Sequence, residues 1–191
     1  MSWNPLLKPV KDGEYRGVKM NTDFRAALAF LDAQSYFDLM AESLGEDETA
    51  RMLAQEAASI FFNNALPDRA DLWEILMSFL AMENEGAKPD DAPLFDYYCD
   101  SARIYADFLA HYRIDLMKES LHWWTFNTLL ESLPSESAVK RAVETRQEEI
   151  DPKGDAKYKA RMYKAKEAVM ITNHWETEWQ TATFGSQPKL T

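Results

Sequence analysis

The stretch LHWWTFNTLLESLP, residues 121–134, is the most aromatic in the chain, and its spacing decides the fold class. On a helix, Trp123, Phe126, Leu130 and Leu133 fall on one stripe, and Leu121 and Trp124 fall on a second. A helix that is apolar on two sides is buried between neighbours, so the rest of the chain must supply helices to cover it. Pro134 ends the helix, because its ring cannot continue the hydrogen-bond ladder. Trp123 and Trp124 are adjacent and point about 100° apart, which a central helix accommodates and a peripheral one does not. Core packing is one reading of these side chains. The other places one of them on a groove that takes the apolar face of a partner helix, which makes Trp123, Trp124 and Phe126 the candidate protein-binding residues.

Helical spacing continues upstream. Tyr98, Ala102, Tyr105, Leu109 and Tyr112 recur at four and three, with Asp96, Asp100, Arg103 and Asp107 on another face, and a break follows at Arg113–Asp115. Residues 86–93 hold two prolines, a glycine and two aspartates and read as the longest internal loop. Before it, Pro67-Asp68 opens a helix with Leu72, Ile75, Leu76, Phe79 and Leu80 inward, fading near Glu85-Gly86. Another helix carries Leu53, Ala57, Ile60 and Phe61, with Glu46, Asp47 and Glu48 at its positive end. Asn21 or Thr22 caps a helix bearing Phe24, Ala27, Leu28 and Leu31, and a second, less regular stretch from Tyr36 stops at Gly45. Residues 1–20, with two prolines and the turn signal Lys11-Asp12-Gly13, form a lead-in that admits a short hairpin.

Downstream of Pro134, Ser135 caps a shorter helix running to about Ile150. Asp151-Pro152-Lys153-Gly154 breaks the chain, and a last helix runs from Asp155 towards Thr181 with Tyr158, Met162, Ala165 and Val169 on one face. The expectation is an all-α protein: a single compact multi-helix domain over residues 21–150 with a basic C-terminal helical extension over 151–191.

Composition agrees. Hydrophobic residues at 46% and aromatics at 13% can build a core, and only six glycines argue against a turn-rich β fold. The one cysteine, Cys99, cannot form an internal disulfide or a cysteine-based zinc site. MSWNPLLKPV lacks the basic and apolar regions of a signal peptide, and no window approaches the roughly 18 apolar residues of a membrane helix. A cytosolic protein without membrane contact is expected. Charge is unevenly spread: residues 1–135 hold 23 Asp/Glu against 11 Lys/Arg, a net of −12, and residues 136–191 hold 9 against 10, a net of +1. An acidic body repels nucleic acid and anionic lipid and favours basic protein partners.

Two segments go beyond pattern. MNTDFR, residues 20–25, and IDLMKESLHWWTFNTLLESLP, residues 114–134, resemble a family of tailed-phage proteins found in siphophages and prophages and catalogued by phage gene-product number. The family order is an NTDFR-like helix start, a middle helical region, an aspartate- and tyrosine-rich helix (here DYYCDSARIYADFLAHYRIDL, residues 96–116), an I-D-L turn, and an L-H-W-W-x-F helix ending in L-P. The likeness extends over roughly residues 18–150. It leaves out the C-terminal helix and matches the family's later arginine-containing segment only loosely, at Val143-Glu144-Thr145-Arg146. The resemblance implies a tail assembly chaperone in the cytoplasm of a bacterial host. Such a protein would coat the tape-measure protein while the tail tube protein polymerises around it, and would self-associate along it. A structural virion component is the alternative, and a nucleic-acid-binding regulator a more distant one.

The residues themselves point away from catalysis. His111, His122 and His174 show no metal-binding spacing, and the Asp96, Asp100, Asp107 stripe reads as a solvated acidic face with Arg103 as its counter-charge. Cys99 lies between Tyr98 and Asp100, a poor setting for a thiolate, and no glycine-rich loop is present to cradle phosphate. No enzyme activity, cofactor or metal is therefore expected. Between Lys153 and Lys166 six basic residues face Asp155 alone. Nucleic acid is one partner for that helix, with Trp175 or Trp179 stacking on bases. Docking on the acidic body of a neighbouring copy is the favoured one, which makes Lys157, Arg161 and Lys164 the candidate self-association residues.

Overall fold

A computed structural model describes residues 11–82, 94–172 and 175. Among these the chain is predominantly α-helical, as expected, with seven α-helices and one two-stranded hairpin. The helices gather into two compact units. The described residues of the first are 11–82 and 114–132, and those of the second are 94–113 and 133–172 together with Trp175.

The first unit begins with the hairpin of β1, Glu14–Tyr15, and β2, Val18–Lys19, in which Tyr15 pairs with Val18. Only Arg16 and Gly17 are left for the turn, at φ 48° and 76°, the doubly left-handed geometry that matches strand twist. The reversal is therefore at Arg16-Gly17, after the Lys11-Asp12-Gly13 signal. The long helix α1, Phe24–Leu44, is capped by Asp23, whose carboxylate accepts from the Arg25 N–H. Asn21 and Thr22 do not cap it because their side chains are occupied: Asn21 Oδ1 accepts from the Asp23 N–H, and Thr22 Oγ1 from that of Gly13. Where two helical stretches were expected there is one, since no glycine or proline interrupts residues 24–44. Gly45, at φ 85°, ends α1 by donating to Ala41 O and leads directly into α2, Glu46–Phe61, with its acidic first turn.

Helix α3, Leu72–Leu80, starts four residues after Asp68, and Ala81 is its C-cap, earlier than the Glu85-Gly86 expected. The loop assigned to 86–93 lies outside the described residues. Helix α5, Trp123–Glu131, completes the unit. Its core is aromatic: Phe30 and Phe79 are fully buried, and Phe24 stacks on Phe126 at 4.6 Å between ring centroids.

The second unit holds α4, Ser101–Asp107, which widens into a single π-helical turn at Phe108–Tyr112 and ends on Arg113 in the left-handed region. Burial corrects the expected orientation of α4. Asp100, Ile104, Asp107 and Phe108 face inward, whereas Tyr98 and Leu109 of the expected apolar stripe are exposed. Helix α6, Ala138–Gln147, is capped by the buried Ser137 rather than Ser135. Helix α7, Ala156–Glu167, is capped by Asp155 as expected but stops well short of Thr181. Two arginines take the carbonyls just past its end, Arg103 at Ala168 O and Arg146 at Val169 O, so capping replaces another turn. Of the tryptophans expected to continue α7, Trp175 is described and partly buried, and Trp179 lies outside the described residues.

Candidate functional site

The sequence motifs are nearly 100 residues apart, and the first unit brings them together. Asp23 and His122 form an antiparallel bridge in which the Phe24 N–H donates to Leu121 O at 2.9 Å and the Trp123 N–H to Thr22 O at 2.8 Å. The NTDFR segment is thereby laid along the start of the LHWW helix. Arg25 reaches the I-D-L turn, donating to Leu116 O and Glu119 O at 2.6 and 2.8 Å, and pairs with Asp23. Ser120 Oγ donates to the same Asp23 carboxylate. Asp115 braces the turn from within, its side chain accepting from the Met117 N–H and its carbonyl from Lys118 and Glu119.

The candidate protein-binding residues belong to this clasp. Trp123, Trp124 and Phe126 are 2%, 5% and 1% exposed. Each indole N–H donates to a carbonyl at the end of α3, Trp123 to Leu80 O at 3.0 Å and Trp124 to Phe79 O at 2.7 Å. The polar edge of each ring thus satisfies the helix end while its apolar body fills the core. His122 caps α5 as an acceptor, Nδ1 receiving the Trp124 N–H at 3.1 Å. Burial disfavours its imidazolium and lowers its pKa below the ordinary histidine value, against a smaller upward pull from Asp12. A neutral ring with a free Nδ1 lone pair is what the cap requires.

The second unit has a centre the sequence reading missed. Asp100, expected on a solvated face, is completely buried, and Arg146 grips it through Nη1 and Nη2, both at 2.8 Å. Arg103 adds a third contact at 3.0 Å. Burial alone would raise the Asp100 carboxyl. The hydrogen bonds from Arg146 and the Asp96 N–H, with the charges of Arg146 and Arg103, outweigh it and hold the pKa below the ordinary value. The Arg146 guanidinium also donates to Leu94 O and Val169 O, so it ties α6 to three other segments of the unit, and Lys166 adds a bond to the Arg146 backbone carbonyl. Asp107 is buried too. Its two oxygens accept from the N–H groups of Ala138 and Val139, serving the first turn of α6.

Lys157, Arg161 and Lys164 are all exposed on α7, with the Arg161 guanidinium 5.8 Å from the Tyr158 ring centroid. In the first unit a groove of about 500 Å³ opens at the end of α2, lined by Lys19, Asn21, Ile60, Phe62 and Pro67 among others. Cys99 donates its thiol hydrogen to Thr172 O. Among the described residues no three His, Cys, Asp or Glu are placed to hold a metal ion. No described helix is long and apolar enough to cross a membrane.

Residues 10–171 match the family model described as Bacteriophage Gp15 protein. The chain belongs to the Gp15 family. The Gp15 match takes in α7, which lies outside the span of the motif resemblance, so the basic helix falls within the family match. No curated protein and no solved structure matches the chain significantly.

Proposed function

We propose that this Gp15-family phage protein is a tail assembly chaperone. It binds the tape-measure protein in the host cytoplasm, self-associates along it, and yields its place as the tail tube protein polymerises. The family places the chain among phage proteins, the motif resemblance suggests the chaperone role, and the way its side-chain chemistry is spent supports a protein that works by binding. The clasp residues Asp23, Arg25, His122, Trp123 and Trp124 are consumed by contacts within the fold, as are Asp100, Asp107 and Arg146. What faces outward is charge together with large apolar side chains: Leu39, Leu44, Leu66 and Trp73 are each more than a third exposed. Such a surface suits a protein that works by binding other proteins rather than by catalysis.

A tape measure that is helical and apolar along one side is open to aggregation until the tube encloses it. Many modest contacts shield that side and still give way to tube subunits. The alternative, a structural tail component, is separated by mass spectrometry of purified particles. A chaperone is scarce or missing there, and a structural component is present in fixed ratio to the tube protein.

A further inference from the structure

Lys157, Arg161 and Lys164 occupy positions i, i+4 and i+7 of α7 and form one stripe, with the exposed Ala160 inside it and Tyr163, 63% exposed, beside it. Met162 is the only buried residue of this helix. The ion pairs of the described residues leave all three cations out. Residues 153–166 hold six Lys/Arg against one Asp, a net of +5. The described residues of the first unit hold 7 Lys/Arg against 16 Asp/Glu, a net of −9, while those of the second hold 11 against 10, a net of +1.

The charge that α7 lacks is displayed at one corner of the first unit. Asp38 and Glu42 stand a turn apart on α1, and Glu46 and Asp47 open α2 across Gly45; all four are exposed and none enters those ion pairs. Leu39 and Leu44, each 37% exposed, lie among them and offer apolar surface for the Tyr163 ring. We propose that the basic face of α7 seats on the α1–α2 corner of a second copy of this chain. The two faces differ, so the contact is head-to-tail and propagates along an open row unless the rotation between copies closes a ring. A twelve-residue helix, about 18 Å long, buries less area than a standard stable interface of roughly 800 Å² per partner. Each contact is accordingly weak and salt-sensitive, and becomes firm only in a row. This deepens the chaperone reading, on which its biological purpose rests, but it is testable without a client.

The test uses sedimentation velocity of the full chain at 50 and 500 mM salt, with circular dichroism to confirm folding. One variant carries K157E/R161E/K164E and the other D38K/E42K/E46K; every substituted side chain is exposed or only part of a helix surface. The parent should self-associate at 50 mM salt, at least tenfold more weakly at 500 mM, and each variant alone should lose at least tenfold in association. Mixed in equal amounts, the two variants should associate again, because each then presents the charge the other needs. A parent that is monomeric at both salts, variants that associate like the parent, or a mixture that stays monomeric would each overturn the proposal. So would a parent that stays monomeric but binds a single-stranded oligonucleotide through the same three basic residues. If the interface passes and the tape measure is not bound, the chaperone role falls and the interface stands.

Discussion

Replacing Arg146 with Met removes the guanidinium that meets both oxygens of the buried Asp100 at 2.8 Å. The methionine roughly keeps the aliphatic volume, so the change is one of charge and hydrogen bonding. Breaking a buried pair by removing one partner costs about 3–5 kcal/mol. Arg103 still touches Asp100 at 3.0 Å, which puts the charge cost at the low end, about 3 kcal/mol. Leu94 O and Val169 O also lose a donor, adding roughly 1 kcal/mol between them where water reaches neither fully. The total, about 4 kcal/mol, is a large part of the 5–15 kcal/mol that holds a typical domain together. In urea, with a slope near 2 kcal/mol/M, the midpoint should fall by about 2 M.

The loss should also depend on pH. In the parent, Asp100 titrates below its unfolded value, so its contribution is complete above about pH 4 and fades as pH falls through the folded value. Without Arg146, burial raises the carboxyl, and protonation relieves the unpaired charge. The gap between parent and variant should therefore narrow from pH 7 to pH 4. The double variant D100N/R146M should recover part of the loss. An R146M midpoint within 0.5 M of the parent, or a gap that widens in acid, would refute the assignment of this pair as the centre of its unit.

Three further outcomes follow. His122 titrates below its unfolded value near 6.5, so the unfolded chain binds the extra proton in that window and stability should fall as pH drops from about 7 towards 5. Asn is also a good cap, so H122N should melt with less pH dependence than the parent; equal slopes would show that His122 does not contribute. Trp124→Ala empties a core site and leaves Phe79 O without its indole donor, at a cost of about 3–5 kcal/mol in chemical unfolding. A variant that melts like the parent would remove Trp124 from the core. Asp107→Ala withdraws the acceptor from two N–H groups of α6. It should cost about 1–2 kcal/mol even with Ser137 in place, and a change under 0.5 kcal/mol would mean that water replaces it.

Helix spacing was legible wherever the buried face was apolar. Trp123, Phe126 and Leu130 of α5 are buried as their spacing requires, because apolar residues at the helical period share one face; Leu133 is buried too, but past the end of the helix. Helix α4 was misread for the same reason turned around. Its inward face mixes Ile104 and Phe108 with Asp100 and Asp107, and two aspartates look solvent-facing until their partners are known. Those partners, Arg146 and the start of α6, are 46 and about 31 residues away, beyond any local pattern. The signal that was available is the arginine-containing segment ending at Arg146. The helix starts were misplaced by one or two residues at Asp23 and Ser137 because several capping residues stand together and hydrogen bonds to other segments choose among them. The clasp between residues 22–24 and 121–123 was foreshadowed by two motifs, but only their meeting in space explains why a charged Arg25 belongs with an I-D-L turn.

The chaperone reading is tested most directly by coexpressing this protein with the tape-measure protein of its own phage and weighing what remains in the soluble fraction. The tape measure alone should be largely insoluble. With this protein it should become soluble in a complex holding several copies of the chain per tape measure, and added tail tube protein should release those copies. A tape measure that stays insoluble, or a soluble one that carries none of this protein, would contradict the account.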